Sequence, residues 1–298
     1  RQMCIRDRYW AIRSGIFPSV GGTRRPGTTV LIEDVAFPLK ELPEATADLQ
    51  ELLVTNEYHD ACIYGHALEG NFHFIISQSF DSPEQVARYE KLMDEVKTLV
   101  VDKYDGSLKA EHGTGRNMAP FVKYEWGERA YGFMKAVKEL FDPKGLLNPG
   151  VIFNEDPHCH LKHFKPMPLT NAHVDKCIEC GFCEVNCLTC GFSLSSRQRI
   201  VIQREISRLK KLSDTESSER LKTLQKQYKY LGNATCAGDG LCSMSCPMGI
   251  NVGDLTHDIR QENLPEKSIG YKTGDFVANH FAETKSALRP VLYLANMA

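Results

Sequence analysis

Four cysteines stand at Cys177, Cys180, Cys183 and Cys187 in KCIECGFCEVNC (176–187), a C-x2-C-x2-C-x3-C spacing. Three thiolates so spaced can close around one iron–sulfur cubane, while the fourth, turned away, serves a second cluster. Zinc sites are built from four ligands in two close pairs, which would leave the third close cysteine unexplained. A second run, TCAGDGLCSMSCP (235–247), offers Cys236, Cys242 and Cys246 and carries Asp239 where the first run has its second cysteine. By the cross-over logic, Cys177, Cys180, Cys183 and Cys246 form a complete [4Fe–4S] ligand set. Cys187, Cys236 and Cys242 form an incomplete one. Its fourth position falls to Asp239, to Cys190, or to nothing, the last giving a [3Fe–4S] cluster. Cys190 is otherwise a small buried thiol.

A second chemical group lies upstream, in ACIYGHALEGNFHFIISQS (61–79), where a strand-forming run holds two histidines. If Glu69-Gly70 is a two-residue hairpin loop, His66 lies directly across from His73. Opposed Cβ atoms are roughly 4.5–5.5 Å apart, so both imidazoles can reach one divalent, zinc-like metal. Phe72, Phe74 and Ile76 then face the core. KAEHGTGR (109–116) supplies a carboxylate, Glu111, and a further imidazole, His112, on a glycine-flanked loop. Two imidazoles and a carboxylate leave a coordination position open to substrate, as catalytic zinc sites do. Spacing alone does not separate this set from two ordinary strand histidines, the commoner situation.

The elements that must position these groups can be read from pattern. A Gly/Pro-rich loop feeds a strand at 28–34, and LPEATADLQELLVTNEY (42–58) has apolar residues at helical spacing. A strand pair follows at 61–79. A helix then opens with Ser82 as N-cap and Pro83 at its first position and stops at Asp105-Gly106. A short strand at 107–110, a helix near 125–141 and the turn DPKG (142–145) complete an α+β domain with an antiparallel sheet. HCHLKHFKPMPLTNAH (158–173) has no periodicity and is expected to be an interdomain linker, a metal site on its four histidines being the alternative. Two amphipathic helices follow, one with Ile202, Ile206 and Leu209 on its stripe and arginines opposite. The other carries Leu221, Leu224, Tyr228 and Leu231, and the charges of both are expected to be solvated.

With 298 residues, 42% hydrophobic, the chain is long enough for about two globular domains. Eight of its eleven cysteines lie between 177 and 246, a composition shift that marks the second domain. A secreted disulfide scaffold is short and dense in cysteine throughout, so metal ligation in a reducing compartment is the better reading. A net charge of −2 excludes the broad positive field of a nucleic-acid binder. No apolar run is long enough to span a bilayer, and no G-x-G-x-x-G fingerprint speaks for a nicotinamide cofactor. The expected location is cytoplasmic, or peripheral at the inner membrane. MCIRDR (3–8) reads as the in-frame translation of a transposon-end sequencing adaptor, so 1–9 is set aside as an artefact or tail.

GHALEGNFH (65–73), EHGTGR (111–116) and DPKGLLNPG (142–150), in this order, resemble the C-terminal domain of FAD-linked oxidases, the family of D-lactate and D-2-hydroxyglutarate dehydrogenases. The similarity covers roughly 10–153 and implies a ferredoxin-like antiparallel sheet with helices. It also implies that His66, His73 and Glu111 hold a metal and that His112 is the catalytic base. By the same resemblance Asn71 contacts substrate, Arg13 grips the substrate carboxylate, and Asn148 belongs to the FAD-binding set. The D-2-hydroxyglutarate enzymes carry a lysine where Ile32 stands here, and Arg24 or Arg25 is the candidate replacement. Residues 174–260 resemble the two-cluster α-helical ferredoxin module of iron–sulfur D-lactate dehydrogenases and of glycerol-3-phosphate dehydrogenase electron-transfer subunits.

The implied organisation is an oxidase C-terminal domain at 10–155, a linker at 156–173, a two-cluster domain at 174–265 and the start of a further region at 266–298. The implied activity is oxidation of a small D-2-hydroxyacid, D-lactate first, with electrons passing from FAD through the clusters to a quinone or cytochrome. D-2-hydroxyglutarate and glycolate are the alternative substrates. An N-terminal FAD domain and a C-terminal cysteine-rich domain are expected to lie outside the chain, leaving it inactive alone. The competing class, an electron-transfer subunit without catalysis, accounts for the cysteines and leaves the EHG and GNxH motifs idle. A structural zinc module is the third reading.

Overall fold

The computed structural model describes residues 2–264 and 268–296. The expected boundary at 265 therefore lies outside the described residues. Helix α1 (Gln2–Thr23) leads into β1 (Thr29–Ala36), and residues 4–10 of α1 are all exposed. Then come α2 (Leu42–Thr55), β2 (Cys62–His66), β3 (Asn71–Gln78) and α3 (Pro83–Lys97). The sheet is antiparallel in the order β1-β3-β2. β3 is central, and residues on both its faces are buried, Phe74 and Ile76 on one and His73 and Ile75 on the other.

Helices α2 and α3 cover one face of this sheet, while α1 approaches the other beside Val30. Ala45, Leu49 and Leu53 of α2 and Tyr89, Leu92, Met93 and Val96 of α3 recur at helical spacing and pack with Val35, Phe74 and Ile76 in one core. Phe74 and Ile76 thus face the core as the alternation predicts. α3 begins as its sequence signals: the Ser82 hydroxyl accepts from the Gln85 amide, and Pro83 takes the first turn.

Three local expectations are corrected. Ala67–Glu69 forms a 3-10 turn, and Gly70 at φ 70° closes a four-residue connection instead of a two-residue hairpin. A type I′ turn needs positive φ at both central residues, which Glu69 disfavours. His66 consequently pairs with Asn71, and His73 with Tyr64. The shift is two residues, so the side-chain period of 2 keeps both histidines on one face as diagonal neighbours. The expected strand at 107–110 is a single bridge between Ala36 and Ser107, because the Leu108 amide turns to Glu125, the Lys109 amide to the Ser107 hydroxyl and the Ala110 amide to a buried carboxylate of β1. α4 (Ala119–Phe141) starts earlier than 125 and breaks at Gly127, whose φ is 72°.

Within 158–164, His160, Leu161 and Phe164 pack against the sheet domain, while His158, Lys162 and His163 are exposed as a linker's would be. His160 is buried against Phe121, and Phe164 stacks on Phe80 at 3.7 Å. The four histidines of this stretch do not gather: His158 faces Glu90, while His173 faces Asp258.

Beyond it lie α5 (Ser196–Leu209), α6 (Thr215–Tyr228), α7 (Val252–Glu262), α8 (Ile269–Asn279) and α9 (Phe281–Ala295). Ser195 and Gln198 form a reciprocal capping box that starts α5. The core here is small, comprising Val174, Ile200, Cys242, Ile250, Val252 and Leu255 with Cys177, Cys183 and Cys246 against it. The expectation that the arginines of α5 are solvated is wrong for two of them. Arg199 and Arg204 are 1% and 4% exposed. In the α6 stripe Leu231 is exposed, because α6 ends at Tyr228 and the chain continues as a π-turn. Among the described residues no helix is long and apolar enough to cross a membrane.

Candidate functional site

Three segments bring the upstream group together. His66 ends β2, His73 sits inside β3, and Glu111 and His112 lie on the loop before α4. Glu111 Oε1 is 3.0 Å from Nε2 of both His66 and His73. The three ligand atoms all lie within 4.8 Å of one another. His112 stacks on His73, with ring centroids 4.4 Å apart and planes within 3°. His73 is buried, whereas the other three side chains are 35–50% exposed, so the group opens to one side.

The donor chemistry fits a cation. Nδ1 of His73 is buried, and its nearest acceptor is Asp34 Oδ1 at 3.2 Å, off the line of a good hydrogen bond. A carboxylate at that nitrogen favours the Nδ1–H tautomer. The Nε2 lone pair then faces the Glu111 oxygen, an arrangement that a metal ion between them makes favourable. At His66, Nε2 meets a donor, Arg13 Nη2 at 3.1 Å, as well as the Glu111 oxygen. One ring nitrogen carries either a proton or a lone pair, so hydrogen bonding alone cannot satisfy both neighbours. Burial and the adjacent His112 hold the His73 pKa below its usual value, keeping the neutral ligand form.

Two adjacent acids of β1, Glu33 and Asp34, fasten the Glu111 loop. They were not singled out in the sequence. Asp34 is fully buried, and its Oδ2 accepts from the amides of Ala110, Glu111 and His112 at 2.9, 2.7 and 2.9 Å. Its Oδ1 accepts from Asn71 Nδ2 at 2.6 Å. Burial alone raises the Asp34 pKa, but the donors from His112, Asn71, Glu111 and Ala110 outweigh it and leave the carboxyl below its usual value. On the other face Glu33 takes Lys109 Nζ at 2.8 Å and the Asn117 amide, holding both ends of the loop. For Glu33 burial dominates over Lys109, so its pKa is raised. The available signal was two neighbouring carboxylates inside a β-branched strand, since a strand buried on both faces leaves each acid in need of partners.

The other predicted residues divide. Arg13 reaches the group through His66. Asn71 also arrives there: both its Nδ2 hydrogens go to Asp34 and Val35, and its buried Oδ1 has no partner. Arg24 does not arrive. It is 3% exposed and donates to the carbonyls of Asp175, Lys176 and Cys177, fastening the end of α1 to the cysteine region. Arg25 is exposed four residues before β1, at the end of the strand remote from Asp34. Asn148 is exposed at φ 43° on a segment tied to the Glu111 loop through the Ile152 amide and the Gly115 carbonyl.

The cysteine runs fold as two matching turns. Gly181 and Gly240 each adopt positive φ and start 3-10 segments, Phe182–Asn186 and Leu241–Ser245, that end on Cys187 and Cys246. Asn186 Nδ2 donates to Ser245 Oγ at 2.6 Å across them. Cys183 lies among Cys177, Cys246 and Cys242, and Cys242 is also near Cys236 and Cys187. All these thiols are free. A small hollow is lined by Cys187, Cys236, Cys242 and Asp239. Cys190 is exposed and does not line it, contrary to the small buried thiol expected. Burial pushes Cys183 up to about 11, an unfavourable setting for a bare thiolate but a usual one for a metal ligand. Cys187 runs the other way, because hydrogen bonds from Thr189 and the nearby Arg199 outweigh its burial. Amide donors reach sulfur from Glu179 to Cys177 at 3.3 Å and from Val252 to Cys242 at 3.4 Å.

Comparison with known proteins agrees with this division. Residues 3–152 match the model of the FAD linked oxidases, C-terminal domain, and 173–250 match the 4Fe-4S dicluster domain. The first match begins inside the stretch set aside above as an artefact. The glycolate oxidase subunit GlcD of Escherichia coli (strain K12) is 33% identical over 145 residues, 49% of this chain and 28% of that protein. The probable mitochondrial D-lactate dehydrogenase of Danio rerio is 29% identical over 147 residues, 49% of this chain and 29% of its own length. The D-2-hydroxyglutarate dehydrogenase of Stutzerimonas stutzeri (strain A1501) is 33% identical over 124 residues, 40% and 26%. The chain spans less than a third of the length of these relatives. With half of its length matched and the sheet and loops in place, the chain belongs to the FAD-linked oxidases through their C-terminal domain, here followed by a 4Fe-4S dicluster domain.

Proposed function

We propose that the chain is the substrate-facing and electron-relay part of a flavin-dependent dehydrogenase that oxidises a D-2-hydroxyacid, D-lactate to pyruvate above others. The observation that carries this reading is the convergence of His66, His73 and Glu111 on one point beside His112. Those three residues would hold a divalent metal, zinc-like in its nitrogen and oxygen donors. His112, stacked beside them but outside the ligand set, takes the substrate hydroxyl proton. The FAD, when bound, supplies the acceptor for the C2 hydride. Arg13 holds the substrate carboxylate, the unpartnered Asn71 Oδ1 accepts from the hydroxyacid, and Asn148 would be among the residues that hold the FAD.

Ile32 supports a monocarboxylate. It pairs with Ile75, two residues from Asp34 on the same face as His73, and offers no charge to a second carboxylate. Neither Arg24 nor Arg25 supplies that charge, for the reasons given above. This favours lactate or glycolate over 2-hydroxyglutarate.

Cys177, Cys180, Cys183 and Cys246 would bind the first cluster. Cys187, Cys236 and Cys242 would bind the second, with Asp239 as fourth ligand or a [3Fe–4S] cluster if it stays unbound. Electrons leave to a quinone or a cytochrome, from a cytoplasmic enzyme or one peripheral at the inner membrane. The test is His112→Ala in the full-length protein, with D-lactate, glycolate and D-2-hydroxyglutarate offered anaerobically while flavin absorbance is followed. Loss of lactate-dependent bleaching with iron content unchanged is expected. Undiminished bleaching would remove His112 as the base, and no bleaching of the wild type by any of the three would remove the substrate class.

A further inference from the structure

Helix α5 carries four arginines, and three of them have carboxylates. Arg197 pairs with Glu184 at 3.1 Å, Arg204 with Glu179 at 2.7 Å and Arg208 with Glu205 at 2.8 Å. Arg199 is the most buried of the four, at 1% exposure, and among the described residues it has no ion-pair partner. Its Nε donates to the Gly232 carbonyl at 2.6 Å and its Nη2 to the hydroxyls of Thr189 and Thr235, each at 3.0 Å. The remaining nitrogen, Nη1, points to Cys187 Sγ at 3.7 Å. Arg199 also lines the hollow that holds Cys187, Cys236, Cys242 and Asp239.

A guanidinium cannot shed its proton in a protein, and a buried charge left without an opposite one is strongly destabilising. Neutral carbonyl and hydroxyl acceptors satisfy its hydrogens but do not neutralise it. The missing negative charge belongs in the hollow, where a thiolate-ligated cluster would supply it. We propose that Arg199 is the built-in counter-ion of the second cluster and the residue that sets its reduction potential through Cys187. Reduction adds one electron to the cluster, with no bond or proton exchanged. The electron comes from reduced flavin in the enzyme, or from dithionite in a test. A fixed cation at hydrogen-bonding range in a low-dielectric setting favours that added charge. The proposal rests on the dicluster domain and is independent of the substrate and of the His112 reading.

The experiment is an anaerobic redox titration of the reconstituted chain followed by electron paramagnetic resonance, on wild type, Arg199→Gln and Arg199→Lys. Cys236→Ser identifies the signal of the second cluster by removing it. In Arg199→Gln that signal is expected to need a more reducing potential, by at least a tenfold change in the reduction equilibrium, 59 mV for a one-electron couple. The first cluster should stay where it is, and Arg199→Lys should recover more than half of the shift. Unmoved potentials in Arg199→Gln with full iron content would overturn the proposal. Should Arg199→Gln lose the second cluster's iron, its restoration by Arg199→Lys supports a requirement for positive charge. Equal loss in both variants makes Arg199 a packing residue only and also overturns it.

Discussion

Asp34 offers the sharpest test of how the candidate metal group is held. Its Oδ2 accepts three consecutive loop amides and its Oδ1 a fourth donor from Asn71. Hydrogen bonds to a charged group contribute about 1.5–3 kcal/mol each. Part of that is offset by burying the carboxylate, so Asp34→Ala should cost about 3–5 kcal/mol, the range for removing one partner of a buried charged network. Asp34→Asn keeps the shape but turns an NH2 toward either the loop amides or Asn71. Neutral bonds are about half as strong, so roughly half the loss is expected.

The loop carries Glu111, and zinc affinity, measured by competition with a chromogenic chelator, should fall about 10- to 100-fold in Asp34→Asn. Urea midpoints measured alongside separate loosened loop from unfolded domain. The pH dependence has a definite sign. The folded pKa of Asp34 lies below its unfolded value, about 3.9. Its contribution is therefore fully present above that value and is lost as pH falls through the folded pKa. Asp34→Asn should flatten this acid limb. Wild-type zinc affinity and an unaltered urea midpoint in Asp34→Asn would refute the clamp.

Two further outcomes follow from the fold. Gly70→Ala forces a Cβ to within 2.2 Å of the Phe37 carbonyl at a φ of 70°, so the connection between the metal-site strands must shift; a loss of at least 2 kcal/mol in urea unfolding is expected, together with weaker zinc binding. Iron removal by a chelator under reducing conditions should open the cysteine region to proteolysis between 174 and 260 and leave the sheet domain protected, because the apolar cluster around its cysteines is small.

Much of this protein is written in local pattern. The alternation in β3, the Ser82-Pro83 start of α3 and the apolar stripe of α2 each follow from short-range geometry, and the structure keeps all three. The C-x2-C-x2-C-x3-C run is equally local, since three sulfurs on one turn need no distant segment to approach. The register of β2 against β3 was misread, because Glu69 resists the positive φ that a two-residue turn needs and the connection takes four residues, and only the period of 2 saved the shared face of His66 and His73. Burial of charge was equally illegible. Glu33 and Asp34 look like interruptions of a strand, Arg24 like a loop cation and Arg199 like one more solvated helix charge. Each became structural once the tertiary fold removed water from around it and offered amides, carbonyls or thiols instead. Residue types and spacing thus determined which atoms could do chemistry. Only the three-dimensional packing decided which buried charges hold those atoms in place, because the energy of an ion depends on everything that surrounds it and not on its neighbours along the chain.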